Sequence, residues 1–471
     1  MISWAILGGL FFISGMIYIL REIKYISRLH KLKIISFTRL IYSLTYGFFP
    51  ALLCFLYAFN NQKLQLSSLV IMDYDSEALG NLYLFWLFSV VGYIALNVAY
   101  SLFAEKKLRF GSKIGNSDSY DFSEQQVILI AFVALFIGAF SLHMWTKDIG
   151  GVFKFIPLAS GIRGDYLNTY GNTHTAWRQP AKIILPATFL SYFLAINCDT
   201  KNKILSRVLF VITFFVAILY LVCNDGRLTI ALFFAILIIG LLTNRSVRIK
   251  NPKKLFFRLA IIGVLAGMLL ANLDDITYFI RHQTFRAASE SLDTGVITKL
   301  MEEFLFVYKS GITSIQTTLW EGESLQLIND IVVGITAYLP SRFSPTGFTR
   351  VFRYNTALCT GNASSTIGTI PTDMISLSIY DFGWIGPIVV PFIIGGTISL
   401  LEGHFRGKRR DAYHWSIYSG LIMSFFRIVN YCEMQDIALS LFPYIVIFFV
   451  AHFIQLVTGQ RRKRDKSTQR F

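Results

Sequence analysis

Nine arginines, Arg163, Arg178, Arg227, Arg281, Arg286, Arg342, Arg350, Arg353 and Arg427, fall in or beside connections on one side of an alternating apolar pattern. A guanidinium grips phosphate through a planar, two-pronged fork, so such a set suits a pyrophosphate that must be held until it leaves. Two of them stand out. Arg427 lies inside the apolar run 415–431, close to its end, where an unpaired charge is expensive. Arg227 follows Asp225 and Gly226 in LYLVCNDGRLTIALF (219–233), a tight turn that would hold the cation at a fixed depth. In SPTGFTRVFRYN, Ser344 reads as a helix N-cap and Pro345 as the first helical residue. A helix continuing from there would set Arg350 and Arg353 on one face, as a diphosphate would require. For any single arginine the alternative is snorkelling to lipid headgroups or pairing with nearby acids.

The elements that must position these residues are membrane helices. Apolar residues make up 54% of the 471, with 43 Phe and only 15% charged residues, which excludes an ordinary soluble domain. Runs long enough to cross a hydrocarbon core of about 30 Å recur along the whole chain. There are eleven: 1–20, 40–60, 82–104, 127–145, 183–198, 208–224, 228–244, 259–273, 382–401, 415–431 and 438–458. The first lacks a basic leader and a small-residue cleavage site, so it reads as an anchor. Basic loops stay cytoplasmic. With alternate connections assigned inside, 29 of the 44 Lys and Arg but only 9 of the 28 Asp and Glu face that side. The N-terminus is therefore expected outside and the basic tail 459–471 inside. The basic charge is a topology signal and implies no nucleic-acid partner. The expected fold is one all-α polytopic domain, residues 1–471.

Two outward connections are long, 146–182 and 274–381, and a loop of that size among short ones is usually functional. Within the second, 295–319 places Val296, Leu300, Phe304, Val307 and Ile315 at helical spacing, and 325–339 is a further apolar stretch. Both are expected to be amphipathic helices that lie on or dip into the outer leaflet. The five cysteines show no paired spacing and the seven histidines no metal-ligand pattern. No Gly-x-x-x-x-Gly-Lys loop is present. No metal or nucleotide cofactor is expected.

The topology, the late outward loop, the helix NDGRLTIALFFAILIIGLL and the tract SSTIGTIPTDMISLSIYDFGWIGPIVVPFIIGG together resemble the Wzy-type O-antigen and capsule repeat-unit polymerases. Tyr380-Asp381-Phe382-Gly383-x-x-Gly386 is the best local match, and the Arg-x10-Gly spacing of some members recurs as Arg350 to Gly361. The resemblance implies a multi-span, lipid-dependent glycosyltransferase of the GT-C-like class in the bacterial cytoplasmic (inner) membrane. Such an enzyme passes a growing glycan from undecaprenyl pyrophosphate to the next undecaprenyl-pyrophosphate-linked repeat unit, commonly beside a separate chain-length regulator. Arginines would neutralise the leaving pyrophosphate and a carboxylate would deprotonate the acceptor hydroxyl.

For that base the sequence offers Asp165 first, two residues from Arg163 in GIRGDY, then Asp373 and Asp381. The alternative for Asp373 in IPTDM is a helix N-cap, and for Asp381 a polar contact with a neighbouring span. His174 and His282 could share the phosphate or move a proton. Trp145, Trp177, Trp320 and Tyr170 could stack on sugars or form an interfacial belt. Other readings are an O-antigen ligase, which shares the donor, a polysaccharide flippase or transporter, which would carry charges at mid-membrane, and an assembly subunit.

Overall fold

The computed structural model describes residues 2–29, 32–59, 76–114, 122–159, 175–197, 202–224, 227–243, 261, 296–338, 347–361, 370–405 and 412–458. Among them there is no strand, and eight helices are long and apolar enough to cross a membrane. The chain is an all-α, multi-pass membrane protein. Its main elements are α1 (Ile2–Leu29), α2 (Ile34–Phe59), α3 (Ser76–Ile114), α4 (Glu124–Thr146), α5 (Ile184–Asn197), α6 (Lys203–Asn224) and α7 (Arg227–Thr243). After a gap come α8 (Val296–Ser314), α9 (Leu327–Thr336), α10 (Val351–Thr360), α11 (Met374–Phe382), α12 (Gly386–His404), α13 (Ala412–Asn430) and α14 (Met434–Val457). Ten of the eleven expected spans coincide with helices; the run 259–273 lies outside the described residues, apart from 261.

Local chemistry sets several helix ends. Ser123 and Gln126 form a reciprocal capping box at the start of α4, satisfying two otherwise orphaned donors. Pro387 sits in the first turn of α12, where its missing N–H costs nothing. Hydrogen bonds join helix ends to like ends, as up-and-down packing requires. On the face of the basic loops, Ile34 N–H donates to Tyr418 Oη (3.1 Å) and Gln126 Nε2 to Thr458 Oγ1 (2.9 Å). On the opposite face, Thr372 and Cys432 exchange two bonds of 2.8 and 2.6 Å.

Two apolar cores result. One joins α1, α2, α3, α8, α11 and α12; the other joins α4, α5, α6 and α7 with α14. The helix α13 belongs to both and is buried along nearly its whole length. It is the wall between the halves, and its last turn carries Arg427.

Three expectations change. The charges Glu22 and Arg39, assigned to a loop, lie inside α1 and α2 and form a buried ion pair at 3.0 Å; the helices run further than their apolar cores because each charge has a partner. The segment 295–319 does not lie on the surface: Leu305, Phe306, Val307 and Tyr308 are all buried, so α8 is enclosed on several sides by α2, α3, α10 and α11. The helix expected from Ser344 begins at Val351, because Gly347 has φ +91° and Arg350 an extended ψ of 137°; Ser344 and Pro345 themselves lie outside the described residues. By contrast α9 does expose Ile328 and Ile335 on one face, an apolar stripe at helical spacing.

Candidate functional site

The junction of α13 and α14, residues 427–436, takes in the last turn of one helix and the first of the next, and charged groups gather there. Arg427 Nη2 donates to both Asp436 oxygens at 3.0 and 2.9 Å, while its buried Nε has no hydrogen-bond partner. Opposite, Lys182 Nζ donates to the Leu439 carbonyl of α14 at 3.2 Å. Arg178, four residues earlier, puts Nε and Nη2 on Asn224 Oδ1 at 3.1 and 3.0 Å, with its guanidinium over the buried Trp145 ring. Lys182 lies within electrostatic reach of Arg427, Asp436 and Arg178. Arg178, Lys182 and Arg427 thus gather at one end of the helix bundle, with Asp436 paired to Arg427. A cleft of about 20 Å³ lies among Lys182, Ser424, Arg427, Ser440 and Tyr444, room for roughly one water molecule.

Asn224 is the last residue of α6, and Arg227 is the first of α7. The Arg178–Asn224 bonds therefore tie the end of α6 to Arg178; Asp225 and Gly226 lie outside the described residues.

The other side of the same turn is acidic. Asp330 of α9 accepts the Met434 N–H through both oxygens, at 3.0 and 3.1 Å, and so caps α14 from a distant helix. Glu433, fully buried, accepts Arg350 Nε at 2.9 Å and a short bond from its Nη2 through one oxygen, and the Phe352 N–H at 3.0 Å through the other. It thereby serves as N-cap acceptor for α10. Burial pushes the Glu433 carboxyl up, against the pull of Arg350. Asp381, 4% exposed at the end of α11, has an Oδ1 with no hydrogen-bond partner and lies within electrostatic reach of Asp330. Cys432 is within reach of Asp330, Asp373, Asp381 and Asp436 alike, which places all four acids around one turn.

Burial raises the Asp330 carboxyl to about 7, with Glu433 adding to the rise and the Met434 N–H opposing it. Such a group costs nothing below its unfolded value near 4 and costs progressively more as pH rises toward 7. Asp330→Asn keeps an acceptor for Met434 and removes the charge. Its melting temperature is expected to exceed that of the wild type at pH 8, by the equivalent of up to about 4 kcal/mol, with the gap closing near pH 4. A gap that widens on acidification would contradict this.

The sequence candidates separate clearly. Arg350 and Arg427 meet residues 427–436 through Glu433 and Asp436, and Arg178, bonded to Asn224, lies within electrostatic reach of Lys182 beside them. Arg353 is exposed on α10, and Arg350 is its N-cap residue, so the two do not form the side-by-side pair expected of one helix. Arg227 is described as the start of α7 without its side chain. Asp373 is fully buried as the N-cap of α11; it accepts from Tyr46 Oη (2.6 Å), Ile375 N (2.9 Å), Ser376 N (3.2 Å) and Ser376 Oγ. That is the capping alternative, and it leaves the carboxylate fully engaged. Arg163, Asp165, His174, Arg281, His282, Arg286 and Arg342 lie outside the described residues.

Lys182, Asn224, Asp330, Glu433 and Asp436 are functional candidates that sequence reasoning missed. The available signal was YCEMQD, two acids in a connection only a few residues long, directly after Arg427. Among the described residues no group of three His, Cys, Asp or Glu is placed to hold a metal ion. Compared with family models, curated proteins and solved structures, the chain matches none.

Proposed function

We propose that the protein is a membrane glycosyltransferase that polymerises undecaprenyl-pyrophosphate-linked repeat units, as the resemblance of its sequence to the Wzy-type polymerases suggests. The observation that carries the reading is the convergence of the basic side chains Arg178, Lys182 and Arg427 at one end of the helix bundle. In this reading the face carrying 427–436 is extracytoplasmic and the membrane is the bacterial cytoplasmic one, where lipid-linked donors present their pyrophosphate. Arg178, Lys182 and Arg427 take that pyrophosphate, and Arg227 keeps the sequence argument for the same role.

The reaction breaks the bond between the donor's anomeric carbon and the phosphate oxygen. The acceptor hydroxyl oxygen forms the new bond to that carbon, and its proton passes to a carboxylate. Asp381 takes this role on its unpartnered oxygen, with Asp330 within electrostatic reach. Asp165 keeps the sequence argument for the same role. The electrons of the broken bond leave with lipid pyrophosphate, whose added charge the cations stabilise more strongly than the ground-state ester. No cofactor enters. A chain-length regulator is the expected protein partner.

Deleting the gene in its own host and resolving the surface glycan on a gel tests the reading. Collapse from a ladder to single repeat units is the expected result. An unchanged ladder would overturn it; complete loss of surface glycan with lipid-linked material retained inside would favour a flippase, and unattached full-length polymer a ligase.

A further inference from the structure

A second polar cavity lies apart from the cation cluster. It has a volume of about 400 Å³ and is walled by the first turns of α3 (Glu77, Asn81), by α8 and its continuation (Lys309, Thr313, Gln316, Thr317) and by Glu321. The continuation, Ile315–Trp320, is a π-helix, a widened turn that is rare and often found at functional sites. It turns Gln316 and Thr317 toward the cavity within one element.

The wall is held in register by its own amides. Asn81 Nδ2 donates to Gln316 Oε1 at 3.0 Å, Gln316 Nε2 to Glu321 Oε1 at 3.2 Å, and Trp320 Nε1 to Asn81 Oδ1 at 2.9 Å. The last bond fixes the Trp320 ring at the cavity's edge although it is 56% exposed. Trp320 meets Trp384, 52% exposed, in an edge-to-face contact at 5.6 Å. Trp384 lies three residues after Asp381, so the aromatic pair joins this cavity to the α11–α12 junction.

We infer that this cavity is a saccharide subsite, which takes a neutral sugar of the acceptor chain. The sugar's origin rests on the proposed polymerase reading; its chemistry rests on the cavity alone. Two carboxylates and one lysine line it, without an arginine, which disfavours phosphate. Amide, hydroxyl and carboxylate groups side by side match a polyol, each of whose hydroxyls both donates and accepts. An exposed indole held in one orientation offers an apolar face for the C–H side of a pyranose at little entropic cost. The volume falls in the range of small-molecule sites.

The test uses the full chain in lipid nanodiscs and saturation-transfer NMR with the methyl glycosides of glucose, galactose, rhamnose and N-acetylglucosamine, and glycerol phosphate as a headgroup control. At least one glycoside is expected to receive saturation, and its affinity to fall about tenfold in both Gln316→Ala and Trp320→Phe, the size of a lost hydrogen bond or stacking face. Glu321→Gln, which preserves shape, should weaken it less. Saturation of no glycoside, of glycerol phosphate alone, or of wild type and variants equally would overturn the subsite. Failure of the two readings is separable. A ladder that collapses on gene deletion with no glycoside bound refutes the subsite alone. Glycoside binding with an unchanged ladder refutes the polymerase and the assignment to its acceptor, leaving only a sugar-binding cavity.

Discussion

Arg427→Ala is expected to reduce polymer formation by about 10²–10³-fold, the usual cost of removing one donor that stabilises developing charge. Arg427→Lys should recover little of it, because a point charge cannot span two phosphate oxygens as a guanidinium does. Removing Arg427 also strands Asp436, whose only hydrogen-bonded cation among the described residues it is, and this alone could weaken the site. Arg427→Ala with Asp436→Asn separates the effects. If the arginine serves only to neutralise Asp436, the double variant should polymerise normally. If it holds pyrophosphate, the double variant should be as inactive as the single one. With purified lipid-linked units, the loss should fall mainly on kcat, since the charge on the leaving group grows toward the transition state. A normal ladder from Arg427→Ala cells would remove Arg427 from the site.

The second large effect concerns the fold around Asp381. Adding a Cβ at Gly386 would place it 1.8 Å from the Ser378 carbonyl oxygen, a backbone atom that no rotamer change can move aside. Gly386→Ala therefore has to part α11 from α12, with an expected cost of about 3 kcal/mol or more. Gly9→Ala is the matched control, because nothing lies within 4 Å of its added carbon. Thermal melting of both variants in detergent decides it: the control should match or exceed the wild type, while Gly386→Ala should melt far lower or fail to yield monodisperse protein. Equal melting of the two would mean that the α11–α12 contact is not tight.

The membrane helices were legible because their signal is local: some twenty apolar residues in succession have few other uses. Asp373 was legible as a cap for the same reason, since Asp before a helix satisfies N–H groups two and three residues away. The site was legible in part. Arg427 announced itself as a charge in an apolar run, but Lys182 reaches Leu439 across 257 positions of sequence and Asp330 reaches Met434 across 104. No local periodicity encodes such contacts. The start of α10 was misplaced for the same reason. Its N-terminal amide is satisfied by Glu433, an acid from a different helix, so the proline and serine upstream were misleading guides.

The separation of Arg350 from Gly361 takes on a different meaning once α10 is seen. Arg350 occupies the N-cap and Gly361, at φ +67°, the left-handed residue just past the last turn, so the ten intervening positions are the helix itself. The spacing is a ruler about 15 Å long, at 1.5 Å per residue. One inserted residue would rotate the far end by about 100° and take the glycine out of register with its turn. Substitutions within the helix leave the ruler intact. The spacing is thus a statement about helix length, fixed by its two ends and indifferent to the letters written between them.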